Sequence, residues 1–374
     1  MTEREAYIAL NMMAGIGPVS VRSLVSAFGS AQAIWTADKS ALTSVRGVGS
    51  ELAQKIMDQR DRLDPVREEQ DAVRRGYRVL TPLDPDYPVR LKEIHDPPLA
   101  LYLWGTLEQK DRHSVAVVGS RRTTHYGLEV AERLSYQLVQ AGFTVVSGLA
   151  RGIDTAAHRG ALKAGGRTVA VLGGGLDRIY PPENAELARA ISGQGGVLSE
   201  FPIGREPDKT TFPIRNRIIS GLSMGILVVE AGLDSGAIIT AHQGLEQGRT
   251  VFAVPGRIDS PASRGCHDLI KHGAKLVEGV DDILEEFSLL MPRGAERPAG
   301  APPSGGEPAS RPAPDLSEDE RALVRALGEE EALDIDSLTR MSRLKPANVS
   351  SALVGLEMKK MVRMRPGRIV ELVR

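Results

Sequence analysis

Only one cysteine, Cys266, occurs in 374 residues, and aromatic side chains make up just 4% of the chain. A single thiol excludes an intrachain disulfide framework and a multi-thiolate zinc site, and it suits a reducing cytosol. No apolar run approaches the ~18 residues that a membrane helix needs, and the N-terminal "MTEREAY" is acidic with no apolar signal core. The expectation is a soluble, cytoplasmic protein without a membrane segment. Excess charge is missing too: 47 Lys and Arg face 48 Asp and Glu, a net of −1. Affinity for a polyanion must then come from local clusters. Two nucleotide signatures are also absent. G-x-G-x-x-G does not follow the first strand-like run, and G-x-x-x-x-G-K-[ST] occurs nowhere. Neither an NAD enzyme nor a P-loop ATPase is supported, and no cofactor is expected.

What is there falls into regions. Residues 1–65 read as a small helical unit in which "MMAGIGPVSVRSLV" and "LTSVRGVGSELAQKI" each place a Gly-apolar-Gly turn before an amphipathic pattern. This is similar to a helix-hairpin-helix (SAM-like) motif, whose turn can offer backbone N–H groups to a DNA phosphate; two plain packing units are the alternative. Residues 66–112 form a proline-rich connecting segment, or an extension of the central domain, ending in an apolar run suited to an edge strand or packing arm. From 113 to 288 the runs "SVAVVG", "FTVVSG", "RTVAVLGGG", "GGVLSE", "GILVVEA" and "TVFAVPG" alternate with helical patterns such as Leu128, Ala131, Leu134, Leu138. Near-continuous apolar strands alternating with helices predict an α/β fold, with a doubly wound, mostly parallel sheet covered on both faces. Residues 289–314, rich in proline, glycine and alanine, read as a disordered linker. Residues 315–374 read as three short helices and a hairpin turning at Pro366-Gly367, the winged-helix pattern.

In an open parallel sheet, ligands bind beyond the carboxyl ends of the strands. The loops there are rich in small residues, suited to anions at helix N-termini. The first carries Gly119, Ser120, Arg121 and Arg122; the second begins at Gly148 and includes Asp154, placed to cap the next helix. The stretch "DKTTFPIRNRIISGLS" puts Lys209, Phe212, Arg215, Asn216 and Arg217 within nine residues. Guanidinium forks grip phosphate oxygens bidentately, and an aromatic ring stacks on a base without regard to sequence. Cations around a ring describe single-stranded nucleic acid better than a lone mononucleotide. The alternative is structural, with Arg217 paired internally to Glu230 and Phe212 plugging the core. Cys266, His267 and His272 fit no common zinc spacing, so no metal site is expected. Ser120 and Ser147 lack an evident base partner and read as turn residues.

The ordered series "VVGSRR", "VSGLARGIDTAAHRGAL", "AVLGGGLDRIYPPEN", "LSEFPIG", "FPIRNRIISGLS", "GILVVEAGLDSGAIITAHQGLEQGR" and "VFAVPG" resembles the DNA-processing protein A family, also called Smf. The flanking helical and winged-helix regions extend the resemblance over nearly the whole chain. It implies an extended Rossmann-like domain that binds single-stranded DNA, usually as a homodimer through that domain. It also implies loading of the recombinase RecA in natural transformation, protection of incoming strands, and no catalytic reaction. Single-strand-binding protein is a further candidate partner. The match places Arg121, Lys209 and Phe212 at the DNA pocket. It leaves open which of Arg215, Asn216 and Arg217 face the strand, and it gives Gly119, Ser120 and Gly148 close backbone approach to phosphates.

The winged helix concentrates positive charge, with Arg343, Lys345, Arg365 and Arg368 as candidates for a second DNA contact; a protein-docking or solvated basic face is the other reading. Two further functions compete. A phosphoribohydrolase-like enzyme would draw on Glu200, Glu230 and Glu246, though no spacing specifies an acid–nucleophile pair. A sequence-specific regulator would act through the winged helix. Deleting residues 315–374 separates the last from the first. In a mobility-shift assay, most single-strand affinity should survive the deletion, whereas a regulator would lose all binding.

Overall fold

The computed structural model describes residues 1–290, 317–327 and 333–342, scattered positions between 344 and 356, and residues 362–365 and 369–372. The chain divides into two compact units, residues 1–302 and 303–374.

Nine strands form the sheet of the first unit: β1 (Arg78–Leu80), β2 (Leu101–Gly105), β3 (Ser114–Val118), β4 (Thr144–Ser147), β5 (Thr168–Val171), β6 (Gly196–Ser199), β7 (Gly225–Val228), β8 (Thr250–Ala253) and β9 (Lys275–Leu276). Their order is β1-β2-β6-β5-β4-β3-β7-β8-β9. All neighbours from β6 through β9 run parallel, while β2 is antiparallel to both β6 and β1. Every residue of β3 to β7 is buried, as expected of strands covered on two faces. One face packs on the helices Thr211–Leu222, Gly236–Glu246 and Arg264–Lys271, through Ile218, Ala241 and Leu269. The other packs on His125–Gln140, Ile153–Lys163 and Val280–Leu290, through Leu134, Ala157 and Ile283. The sheet is doubly wound and mostly parallel.

The apolar run of residues 101–105 is not an edge. β1, only three residues long, pairs outside it, Val79 opposite Tyr102. The chain proceeds outward from β3 through β4, β5 and β6, then crosses back to place β7 on the other side of β3. The switch point therefore lies between β3 and β7, where consecutive loops diverge to opposite faces and leave a crevice.

The N-terminal unit packs around Leu10, Leu24, Leu42 and Ile56, with Leu99 of the central segment joining this core. Its two Gly-x-Gly turns lead into helices Pro18–Phe28 and Ser50–Arg60, capped by Gly17 and Gly49 without a side-chain hydrogen bond. In the second compact unit, helices Glu318–Leu327 and Ile335–Ser342 accompany a sheet of β10 (Leu333–Asp334), β11 (Val362–Arg365) and β12 (Ile369–Leu372), ordered β10-β12-β11. The β11–β12 pairing is the expected hairpin. Its turn, the linker from residue 291 onward, and Arg343, Lys345 and Arg368 lie outside the described residues, as does the side chain of Arg365.

His158 is buried between helix and sheet, its Nδ1 2.7 Å from Thr168 Oγ1. That hydroxyl donates to the Val145 carbonyl, so the imidazole Nδ1 donates to Thr168 and Nε2 is left without a partner. Burial, reinforced by the charge of Arg215, pushes the imidazole pKa down to about 3. The unfolded chain protonates near 6.5 while the native state stays neutral, so stability present above that pH is lost as pH falls. From about pH 7.5 to about pH 5 this group alone should remove about 2 kcal/mol. Urea titrations at the two pH values should show that loss in the native protein, and a correspondingly flatter dependence in His158→Asn.

Candidate nucleic-acid interface

A cleft of about 750 Å³ opens at the switch point, between the loop after β3 and the loop after β7. The two loops are laced together. Ser120 N–H donates to the Glu230 carbonyl at 2.6 Å, and the Ser120 hydroxyl donates to the Arg122 carbonyl at 2.8 Å. The buried Glu230 carboxylate accepts from Thr124 N–H at 2.8 Å and from the Thr123 hydroxyl, holding a negative charge at the start of helix His125–Gln140. These bonds leave Arg121 and Arg122 exposed on the crest of the cleft.

The opposite wall comes from residues 208–223, which include the helix Thr211–Leu222. Asp208 accepts from Thr210 N–H at 2.7 Å and Thr211 N–H at 3.1 Å, so it caps helix Thr211–Leu222 although Thr210 occupies the cap position. Hydrogen bonds from Thr210 hold its carboxyl below the usual range. The cap aims the first turn at the cleft. Lys209 is exposed at the rim, and Phe212 is half-buried, with the Arg121 guanidinium 4.7 Å and that of Arg215 6.0 Å from its ring centre. Among the described residues, Arg121, Arg122, Lys209 and Arg264 line this cleft with no carboxylate at ion-pair distance; buried Asp154, which feels the charge of Arg121, and exposed Asp234 are the carboxylates in its lining.

The arginine-asparagine-arginine motif divides. Arg215 is buried in the floor and donates to the carbonyls of Gly148, at 2.6 Å, and Val171, at the ends of β4 and β5. Burial pulls its pKa down to about 10 against the attraction of Asp154, whose own carboxyl is raised by burial. Asn216 also lines the floor and donates to the Gly236 carbonyl at 3.3 Å. Arg217 points away from the cleft. It pairs with Glu200 at 2.5 Å and Asp96 at 2.9 Å, both beneath the strand ends. Burial raises the Glu200 carboxyl, and Arg217 offsets this. Two corrections follow: Arg217 is not brought to the cleft, and its internal partners are Glu200 and Asp96 rather than Glu230.

The glycines are also explained from within. A Cβ on Gly148 would lie 2.1 Å from Arg215 Nη1, and one on Gly119 would lie 2.8 Å from the Glu230 carbonyl. Gly148 and Ala150 N–H groups are already taken by Asp154, at 3.1 and 3.3 Å, so Asp154 clamps the preceding loop instead of capping its helix. Room for buried side chains and carbonyls, more than room for phosphate, requires glycine here. The three carboxylates of the hydrolase reading are elsewhere: Glu200 and Glu230 are engaged as described, and exposed Glu246 ends a helix outside the cleft lining. Cys266 is buried with its thiol pushed up to about 12, and His267 Nε2 lies 3.0 Å from the Gly256 carbonyl. No group of three or more potential metal ligands occurs among the described residues.

Reading the sequence missed Arg264, Tyr180 and Arg151. Tyr180 stands 5.8 Å from Phe212, ring centre to ring centre, and the Arg151 guanidinium lies 5.8 Å from the Tyr180 ring. Arg151 and Tyr180 come from loops after strand ends and Arg264 opens the helix Arg264–Lys271, all far from residues 209–217 in sequence.

A doubly wound sheet with a cation-crested, ring-bearing cleft at its switch point defines a Rossmann-like binding domain. A family described as DNA recombination-mediator protein A matches residues 78–288, its winged-helix domain matches 307–368, and a SAM-like helix-hairpin-helix tandem matches 7–61. Protein Smf of Synechocystis is 36% identical over 98% of both chains. The DNA processing protein DprA of Streptococcus pneumoniae is 48% identical over 55% of this chain and 72% of its own length. Among solved structures, DprA of S. pneumoniae superposes with a TM-score of 0.66 at 36% identity, covering 76% of this chain and 98% of that one. DprA from Helicobacter pylori, whose structure is described as revealing a single-stranded DNA binding mode, gives 0.51 at 29% identity, over 57% and 96%. The chain belongs to the DNA-processing protein A (Smf) family of recombination mediators.

The division of the motif has a measurable consequence. Removing Arg217 strands a buried carboxylate, so Arg217→Met should cost about 3–5 kcal/mol in urea unfolding. Exposed Lys209→Ala should stay within about 0.5 kcal/mol of the native protein.

Proposed function

We propose that this protein is a non-catalytic binder of single-stranded DNA that protects unpaired strands and loads RecA during homologous recombination and natural transformation. In this reading it acts in the cytoplasm as a homodimer through its Rossmann-like domain, with single-strand-binding protein a further candidate partner. One observation carries the proposal: Arg121, Arg122, Lys209 and the Phe212 ring surround one open cleft. The description of the H. pylori relative supports the ligand class.

The geometry suits a strand of any sequence. Arg121, Arg122, Lys209 and Arg264 take phosphates, while Phe212 receives a base on its π-face. At rest Arg121 occupies that face. Binding lets the guanidinium move to a phosphate as the base takes its place, so the platform is kept covered until a strand arrives. Arg215 and Asn216 hold the floor. Phosphate contact and stacking together carry no base code, which fits a mediator acting on arbitrary strands.

Four phosphate contacts give a salt slope near −2.8, from ~0.7 per charge, and roughly fifty-fold weaker binding of oligo-dT between about 50 and about 200 mM salt. Lys209→Ala should flatten the slope by about 0.7. Phe212→Ala should weaken binding roughly tenfold with the slope unchanged. Filter-binding titrations measure both, and a salt-independent affinity would defeat the proposal.

A further inference from the structure

We propose that the bound strand continues past Phe212 onto a second aromatic platform, Tyr180, with Arg151 contacting the phosphate there. This rests on the single-strand reading of the cleft and extends it toward the far side of the β5 loop.

Four side chains form a row in which cations flank two rings. Arg121 lies 4.7 Å from the Phe212 ring centre, Phe212 lies 5.8 Å from Tyr180 at 44° between planes, and Arg151 lies 5.8 Å from the Tyr180 ring. Tyr180 is 42% exposed, so the residue reaches solvent beside Phe212. The loop after β5 is buried at Gly173 and Gly174. A Cβ on Gly173 would lie 2.8 Å from Phe212 Cδ1, and one on Gly174 would lie 2.9 Å from Pro207. Gly173 therefore lets the Phe212 ring seat against the end of β5, which fixes the ring that faces Tyr180.

The second platform is also held in place. Tyr180 leads directly into the 3-10 turn Pro182–Asn184 by way of Pro181. Asn184 is buried, and its amide donates to the Leu149 carbonyl at 2.9 Å and the Thr155 hydroxyl at 2.8 Å. The ring is thus stationed by the same loop that follows β4. Arg151 is paired at rest with Glu183, both side chains about half exposed. Such a surface pair gives up its cation readily to a phosphate. Rings at two successive positions, each with a cation beside it, match the alternation of base and phosphate along an unpaired strand.

The test compares Tyr180→Ala and Tyr180→Trp with the native protein on oligo-dT and on a wholly abasic strand of equal length. Tyr180→Ala should weaken oligo-dT binding roughly tenfold, and Tyr180→Trp should retain it. On the abasic strand the Tyr180→Ala defect should vanish, whereas that of Lys209→Ala should persist. If Phe212→Ala weakens oligo-dT binding while Tyr180→Ala does not, the second platform is overturned and the single-strand reading stands. If the native protein does not bind oligo-dT, both fall. Should Tyr180→Ala fail to fold, photocrosslinking native protein to oligonucleotides carrying 5-iododeoxyuridine decides: adducts at Tyr180 support the proposal, and adducts confined to Phe212 overturn it.

Discussion

A buried guanidinium holds the candidate site together. Arg215 reaches from the helix after β6 to carbonyls at the ends of β4 and β5, in the field of the buried Asp154. A charge sealed from water is costly unless its protons are matched; two strand-end carbonyls accept from Nη1, while the buried Nε has no partner. Because Arg215 is fixed, the first turn of its helix is fixed, and with it the position of Phe212. Gly148 must lack a side chain so that the guanidinium can arrive at all. The exposed cations that would meet a ligand stand on a framework set by a cation that stays out of solvent.

The same logic accounts for Arg217. Two residues along the helix it faces the opposite way, against Glu200 and Asp96. The motif is therefore two buried anchors with a polar residue between them, and it braces the helix from both sides. Ligand contact is left to Arg121, Arg122, Lys209 and Arg264, which carry no such internal partner among the described residues. Division of labour between anchoring and exposed cations lets the cleft be strongly positive while the chain as a whole remains near neutrality.

Strands β3 to β8 were legible as Val, Leu and Ile runs because a strand buried on both faces has no polar alternation to obscure it. Their spatial order, and hence the partner of Arg217, was not. Glu200 and Glu230 each follow a strand, and only the crossing of the chain to β7 decides which carboxylate lies beneath the helix. β1 is not legible because three residues carry no period, so the run at β2 reads as an edge strand or packing arm, although it lies between β1 and β6. Lys209 and Phe212 were legible as local chemistry, a cation and a ring beside a helix start. Tyr180, Arg151 and Arg264 were not, since the fold alone gathers them from separate segments of the chain.

The N-terminal helices are tied to the sheet at more than one point. Arg4 spans Glu69, Asp84 and the carbonyl of Val79 on the outermost strand, at 2.6, 3.4 and 2.6 Å, while the Asn11 amide reaches the carbonyl of Glu200 at 2.8 Å. Glu200 thereby serves as a shared rivet, its backbone gripped by the first helix and its carboxylate by Arg217. The leading module is thus a flange bolted to the sheet's margin. A cut after residue 65 would strip the outermost strand of its brace and loosen the seat of the helix that carries Phe212.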